Sequence, residues 1–519
     1  MTAKPHVNPW LTASAVMFGT FMVVLDTTVV NVSLPHIAGN LSSTIDEGTW
    51  ALTSYLAANA VILPLTGWLA NFFGRKRLLL LSVTGFTAAS FLCGIAPNLP
   101  VLIAFRIVQG LTGGVMQPLS QAVLLEAFEP EERGRAMGFW GLGIVVAPII
   151  GPVLGGWLTD NYSWRWVFYI NIPVGAMAVL MTRAYVFDPP YIKRVSETID
   201  YRGIGLLALG VGAIQVVLDK GQQADWFDSP TIVALTALGV VSLTVFIFAE
   251  LRQPHPVVDL RVFKHMTYSL GVFLTTVLGF VLYGSLVLLP IMLQTLLGYP
   301  PIQAGLALAP RGIGSFIAMP LVGVATDRFD PRVLVGIGLV AGAATLFWLG
   351  SLNLQAGYWD LFWPQLLQGA ALGLLFVPLT TVTMAGISRE EMGNATSLVN
   401  LMRNVGSGIG IAVVTTFLAQ RRVVHTQVLA SHLNAYSPQS AEVLSGLQAY
   451  FRSRGADAIT AARQAYAASR GMVARQAAML SFIDAFFLMG VIFVLMIPLL
   501  FLMTRPRRAG SGPPVAPME

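Results

Sequence analysis

Fourteen apolar runs, each long enough to cross a bilayer, occupy most of this 519-residue sequence. A spanning helix takes about 20 mostly apolar residues, so fourteen of them claim roughly 280 positions. No soluble domain of ordinary size fits in the remainder, and the composition agrees, at 55% hydrophobic and only 11% charged. The runs fall at approximately 11–34, 49–70, 78–96, 100–122, 136–158, 164–185, 201–218, 230–250, 268–292, 303–325, 332–350, 360–386, 396–420 and 481–503. Inside hydrocarbon every backbone polar group must be bonded within the protein, and runs of this length achieve that as helices whatever their β-branched content. The expected fold is an all-α integral membrane bundle. The first run is too long, and carries Asp26 too deep, to be a cleavable signal, so it counts as the first spanning helix.

Orientation follows from the Lys and Arg residues. With the N-terminus placed in the cytoplasm, the inner loops hold Lys4, Arg75, Lys76, Arg77, Arg133, Arg135, Lys193, Arg194, Arg252, Arg261, Arg328, Arg332, Arg389 and Arg505, among others. The short outer loops hold only Arg165 and Lys220. This bias predicts a multi-pass protein with both termini cytoplasmic. Segment 421–480 carries seven Arg against Glu442 and Asp457, but a loop of about 60 residues translocates largely regardless of charge. The net charge of +6 is thus a topology signal and gives no support for nucleic-acid binding. Cys93 is the sole cysteine, which excludes an intramolecular disulfide and a Cys-based metal site. The six His lack metal-ligand spacing.

An internal repeat organises the chain. Pro64-Leu65-Thr66-Gly67 after the second span matches Pro320-Leu321-Val322-Gly323 after the tenth. Further on, Gln109-Gly110 matches Gln368-Gly369, Pro118-Leu119-Ser120 matches Pro378-Leu379-Thr380, and Gly151 matches Gly410. Spans one to six therefore map onto spans nine to fourteen. The expected organisation is an N-terminal six-helix half (1–185), a two-helix insert with flanking cytoplasmic loops (186–265), a C-terminal six-helix half (266–503) that includes loop 421–480, and a tail (504–519). Two parallel halves enclose a polar cavity near the midplane that rocking exposes to either side. Candidates to line it are Asn31, Tyr55, Gln109, Gln117, Arg311, Gln365, Arg403 and Asn404.

Two ionisable residues lie at membrane depth in the first half, Asp26 in span one and Arg106 in span four. An acid at the depth of Asp26 is expensive when charged, so it is neutral, paired or hydrated, and such a group either carries a proton or bridges helices as a structural acid. Arg106 cannot deprotonate in practice and needs an anion, carbonyls or water. Its repeat counterpart is Gln365, and that of Asp26 is Val281, so the fold's symmetry does not demand these charges. Arg311 and Arg403 could meet an anionic substrate or contact lipid headgroups. In span five, Pro148 and Pro152 remove backbone donors, while Gly151, Gly155 and Gly156 admit a close neighbour. Arg75, Lys76 and Arg77 either latch helix ends through their C-terminal dipoles or only set topology.

Leu25-Asp26-Thr27-Thr28-Val29-Val30-Asn31 in span one, Gly67 to Arg77 after span two, Arg106-x-x-Gln109-Gly110 in span four and Ala147-Pro148-x-x-Gly151-Pro152-x-x-Gly155-Gly156 in span five together resemble the major facilitator superfamily. The similarity is to its fourteen-helix drug:proton antiporter branch, and it extends over nearly the whole chain. The resemblance implies a proton-driven exporter of hydrophobic or amphipathic toxic compounds in the bacterial inner membrane, with no cofactor. It assigns Asp26 and Arg106 to proton coupling, and span five to the antiporter motif. It also implies gating at Gly67, Asn71, Arg75, Lys76 and Asp327, although Asn71 stands where the family usually has an acid. For segment 421–480, where 439–453 and 457–470 read as short amphipathic helices, it implies docking of an EmrA-type periplasmic adaptor leading to a TolC-like outer-membrane channel. A proton-coupled importer of the same fold is the alternative. No G-x-x-x-x-G-K-[ST] loop and no Ser/His/Asp or metal constellation occurs in the sequence, so an ATP-driven pump and an intramembrane enzyme are not expected.

Overall fold

The computed structural model describes residues 8–129, 132–188, 200–254, 256–432 and 438–503. Among them are eighteen α-helices and no strand: α1 (Pro9–Asn40), α2 (Ile45–Gly48), α3 (Trp50–Ile62), α4 (Thr66–Phe73), α5 (Arg75–Gly94), α6 (Leu99–Ala127), α7 (Arg133–Asn161), α8 (Trp166–Tyr169), α9 (Asn171–Tyr185), α10 (Tyr201–Lys220), α11 (Pro230–Arg252), α12 (Met266–Ile291), α13 (Pro301–Arg328), α14 (Pro331–Leu349), α15 (Tyr358–Met384), α16 (Met392–His432), α17 (Pro438–Ser453) and α18 (Ala458–Met496). Thirteen helical runs are long and apolar enough to cross a membrane, with α8 and α9 together making one of them. A fourteenth is the broken pair α3–α4, bent by 62° where Pro64 interrupts the backbone ladder. The protein is a multi-pass membrane protein. Side chains such as Leu81, Val241, Leu321 and Leu180 are more than half exposed, which suits a lipid-facing belt and would be a liability in water.

Local sequence sets the helix starts. Asn98 accepts a bond from the Val101 N–H, Asp200 from Arg202 and Gly203, and Asp330 from Arg332, each satisfying donors that a helix start leaves open. Gly74 joins α4 to α5 at φ +83°, a left-handed turn that favours glycine.

The helix pairings recur in two sets. In the first, α1 packs on α7, α3 on α6, and α5 on α6 and α9; in the second, α12 packs on α16, α13 on α15, and α14 on α15 and α18. Between the sets, α7 lies along α13, and α16 touches α4 and α6. The largest apolar cluster crosses this boundary, running from Val16, Leu79, Met116 and Trp140 into Met319, Val322 and Phe376. Helices α10 and α11 pair with each other, and α10 also meets α3 and α16.

One expectation about the last segment needs correction. Spans thirteen and fourteen do not end where their apolar runs end: α16 continues to His432, and α18 already starts at Ala458. The 457–470 stretch is therefore part of a 39-residue helix rather than a short separate one, whereas 439–453 does form α17. Polarity marks the membrane edge, but a helix stops only at a breaker. The stretch from Arg421 to His432 holds no Gly or Pro, so nothing in it breaks the ladder. Where α16 and α18 leave the apolar zone, Asp484 Oδ2 accepts bonds from Arg421 Nε (2.6 Å) and His425 Nε2 (2.7 Å). Lys4, Lys193, Arg194 and Arg505 lie outside the described residues.

Candidate functional site

Five helices of the first set bring polar groups to one buried point. Asp26 of α1 and Arg106 of α6 are both 0% exposed, and Arg106 Nη1 donates to Asp26 Oδ2 at 2.6 Å. The other carboxylate oxygen accepts from Gln109 Nε2 (2.9 Å) and from Asn171 Nδ2 of α9 (2.7 Å). Three N–H donors around one carboxylate suit its ionised form, and charge-assisted bonds of this kind are the strong ones. Arg106 is held from its other side as well. Its Nε donates to the Ala51 carbonyl of α3 (3.0 Å), its Nη1 also donates to Gln109 Oε1 (2.7 Å), and its guanidinium lies 4.1 Å from the Tyr55 ring centroid. Asn171 in turn donates to Ser90 Oγ of α5 (2.9 Å). Arg106 Nη2, the Tyr55 hydroxyl and Asn171 Oδ1 have no protein partner.

The arrangement is a charge pair with spare acceptors. If Asp26 takes a proton, Arg106 loses its anion but keeps the Ala51 carbonyl, the Gln109 amide oxygen and the Tyr55 face. If the proton leaves, the three-donor cage is ready without solvent. Directly beside Asp26, α7 presses on α1. A side chain at Gly151 would collide with Thr28 Oγ1, and a Cβ at Gly155 would stand 2.9 Å from the Val29 carbonyl oxygen. Pro148 and Pro152 lie within α7, which remains one helix from Arg133 to Asn161. Gly156 does not share the close approach expected of it, since nothing comes within 4 Å of its Cβ position. One step round the helix from Gly155, it points away from the face that packs on α1.

The remaining cavity candidates lie elsewhere. Asn31 is exposed, and Gln117 and Asn404 are half-buried, none of them joined to the Asp26 cluster. Gln365 is buried and donates to Gln368 Oε1 (3.3 Å). Arg311 donates to Ser285 Oγ (3.3 Å) and Arg403 to Asn400 Oδ1 (2.8 Å). Asn400 also donates to Gln121 Oε1 of α6 (2.7 Å), which bridges the two helix sets, and Trp140 of α7 stacks on Phe376 of α15 with centroids 6.1 Å apart.

At the end of the bundle that holds Arg75, the two sets touch backbone to backbone. A Cβ at Gly67 would sit 2.7 Å from Asn394 Cα, one at Gly138 would sit 2.6 Å from the Met319 carbonyl oxygen, and one at Gly323 would sit 2.8 Å from the Gly134 carbonyl oxygen. This end is closed. Asn71 is half-buried, and the buried Arg75 pairs with Glu126 of α6. Lys76 donates its backbone N–H to Asp188 Oδ1 (2.8 Å) and its ammonium to the Arg183 carbonyl in the last turn of α9 (2.7 Å), where the helix dipole favours a cation. The side chain of Asp327 lies outside the described residues.

Sequence reasoning did not assign roles to Asn171, Ser90, Gln121, Asn400 or Asp484. A polar residue inside an apolar run was the available signal for each, but nothing in the sequence says which of them face one another.

Two sets of six membrane helices meeting across a close interface, with a fully buried ion pair in one of them, define a transporter fold rather than an enzyme. The sequence profile of the Major Facilitator Superfamily matches residues 16–411, and the chain belongs to that family. It is 42% identical over 428 residues to the "Multidrug export protein EmrB" of Haemophilus influenzae, covering 82% of this chain and 84% of that one. It is 38% identical to the "Fatty acid resistance protein FarB" of Neisseria gonorrhoeae over 97% of both chains. Among solved structures, the human organic anion transporter MFSD10 superposes with a TM-score of 0.64 at 14% identity, covering 96% of this chain and 100% of that one. The proton:xylose symporter XylE superposes with a TM-score of 0.60, also at 14% identity, covering 95% of each. At that identity the two structures speak for the fold alone. No group of three or more His, Cys, Asp or Glu able to hold a metal occurs among the described residues.

Proposed function

We propose that this chain is a proton-coupled antiporter that exports hydrophobic or amphipathic toxic compounds across the bacterial inner membrane. The observation that carries the reading is the Asp26–Arg106 pair at full burial, caged by Gln109 and Asn171. A site that holds one proton's worth of charge without water is what coupling to a proton gradient requires. The relatives' names, multidrug export and fatty acid resistance, support the substrate class and the outward direction.

In this mechanism, protonation of Asp26 frees Arg106 onto Ala51, Gln109 and Tyr55, and the α1 segment at Thr28–Val29 shifts against Gly151 and Gly155 of α7. Because α7 also lies along α13, the shift reaches the interface between the halves and opens the closed end at Gly67, Gly134 and Gly138. The positive-inside bias supports a cytoplasmic position for that end and for both termini. The helical hairpin of α16, α17 and α18 then projects into the periplasm with Val424, Val428, Val443, Tyr450 and Tyr466 exposed. It serves as the docking surface for an EmrA-type adaptor that hands substrate to a TolC-like channel.

The test is transport in reconstituted vesicles of known orientation under an imposed pH gradient. The wild type should accumulate substrate against its gradient, and Asp26→Asn should not, while still exchanging substrate down its gradient. Full gradient-driven transport by Asp26→Asn would remove the carboxylate from the mechanism.

A further inference from the structure

The second helix set contains a buried cation, Arg311. Arg311 lies about 15 Å along α13 from Pro301, half the thickness of a hydrocarbon core of about 30 Å. It is 7% exposed, and among the described residues its one hydrogen bond is the 3.3 Å contact to Ser285 Oγ. No carboxylate lies within ion-pair distance among the described residues. Arginine stays protonated, and a charge at mid-depth is expensive unless something answers it. Arg106 is answered by Asp26; Arg311 is answered by no anion among the described residues. Mid-depth also puts headgroups at either surface out of the reach of a snorkelling side chain.

The guanidinium lines a cavity whose other polar linings among the described residues are Ser285 and Gln368, with Leu278, Leu282, Leu372 and Leu375 among its apolar walls. Gln368 accepts from Gln365, whose own amide oxygen has no partner. Arg403, in the same helix set, likewise has no carboxylate partner among the described residues and leans on Asn400 and the Phe376 ring. The first set thus carries a neutral pair, and the second carries uncompensated positive charge beside apolar walls.

We propose that Arg311 is a binding site for the single negative charge of an amphipathic molecule. The guanidinium takes a carboxylate or phenolate in its planar fork; the cavity is about 20 Å³ in this structure, so the apolar part enters as the walls at Leu278, Leu282, Leu372 and Leu375 part. As a step in export this deepens the antiporter reading and rests on it, but binding is measurable without transport. An anionic phospholipid offers the same charge and tail, so the test separates the two sources.

The experiment uses the full-length protein in phosphatidylcholine nanodiscs and compares dodecanoate with its uncharged analogue dodecanol. Arg311→Gln should weaken dodecanoate about tenfold or more, the scale of a lost charged hydrogen bond, while dodecanol changes by less than about threefold. Arg311→Lys, which keeps the charge and loses the fork, should fall between them. Gln368→Glu supplies an internal anion beside an intact Arg311 and should also abolish the preference for dodecanoate, which keeps the idea testable should Arg311→Gln fail to fold. In discs containing phosphatidylglycerol, a lipid-derived anion would show as a bound phosphatidylglycerol in native mass spectrometry that is lost in Arg311→Gln, with dodecanoate competing for it. Equal dodecanoate affinity in wild type and Arg311→Gln, or an equal loss for dodecanoate and dodecanol, overturns the proposal. Failure of the antiporter reading would show instead as absent proton-driven transport with these affinity ratios intact.

Discussion

Arg106→Gln is the perturbation whose cost the structure defines best. It removes the donor 2.6 Å from Asp26 Oδ2, together with the bonds to Ala51 and Gln109, and leaves a fully buried carboxylate with two neutral amide donors. Breaking a buried pair from one side costs about 3–5 kcal/mol, mainly because the surviving charge is left uncompensated. Removing that charge as well should recover much of the loss, since the amide of Asp26→Asn keeps the side chain's shape and can still accept from Asn171. The double variant Asp26→Asn/Arg106→Gln is therefore expected to be more stable than Arg106→Gln alone, with a coupling energy of about 2 kcal/mol between the sites. The assay is thermal unfolding of the four proteins in one detergent at one pH, and the expected order of midpoints is wild type, double variant, then Arg106→Gln. If the double variant instead melts lower than either single variant, by the sum of their shifts, the two charges do not sense one another and the paired site is refuted.

Three further outcomes follow from the packing. Gly151→Val should collide with Thr28 and cost about 1–3 kcal/mol of overpacking along with most transport, whereas Gly156→Val, with nothing within 4 Å, should transport at close to the wild-type rate in the same vesicle assay. Gly67→Leu should prevent closure against Asn394, so that a cysteine placed at the buried Asn400 in a Cys93→Ala background becomes reactive to a water-soluble maleimide; unchanged protection would show that Gly67 does not seal this end. Replacing 433–457, which includes α17, by a Gly/Ser linker should leave vesicle transport nearly intact but lower resistance in a cell with two membranes, and loss of transport in vesicles would make the segment part of the gate instead of a docking surface.

Spans of this length and polarity are legible because hydrocarbon imposes a single solution on the backbone. Asp26 and Arg106 are legible because charge at depth is rare enough to stand out. What joins them is a different matter. Asn171, at the start of α9, reaches Asp26 only because α9 packs on α1, and the Ala51 carbonyl becomes an acceptor only because α3 packs on α6. Both are tertiary facts with no periodicity to announce them. The same holds for the Gln121–Asn400 bridge, whose partners stand 279 positions apart. The ends of α16 and α18 were misread for a simpler reason, since hydropathy reports where a helix leaves lipid and not where it unwinds. That no described carboxylate reaches Arg311 is also a property of packing, because a sequence cannot display a missing neighbour.

The central claim is that one buried carboxylate links proton movement to substrate movement. The measurement that tests it most directly is proton flux in reconstituted vesicles when substrate alone is driven down its gradient, with a pH-sensitive dye on the trans side. Wild type should move protons opposite to substrate, and Asp26→Asn should pass substrate with no accompanying proton flux. Substrate-driven proton movement that persists undiminished in Asp26→Asn would contradict the account.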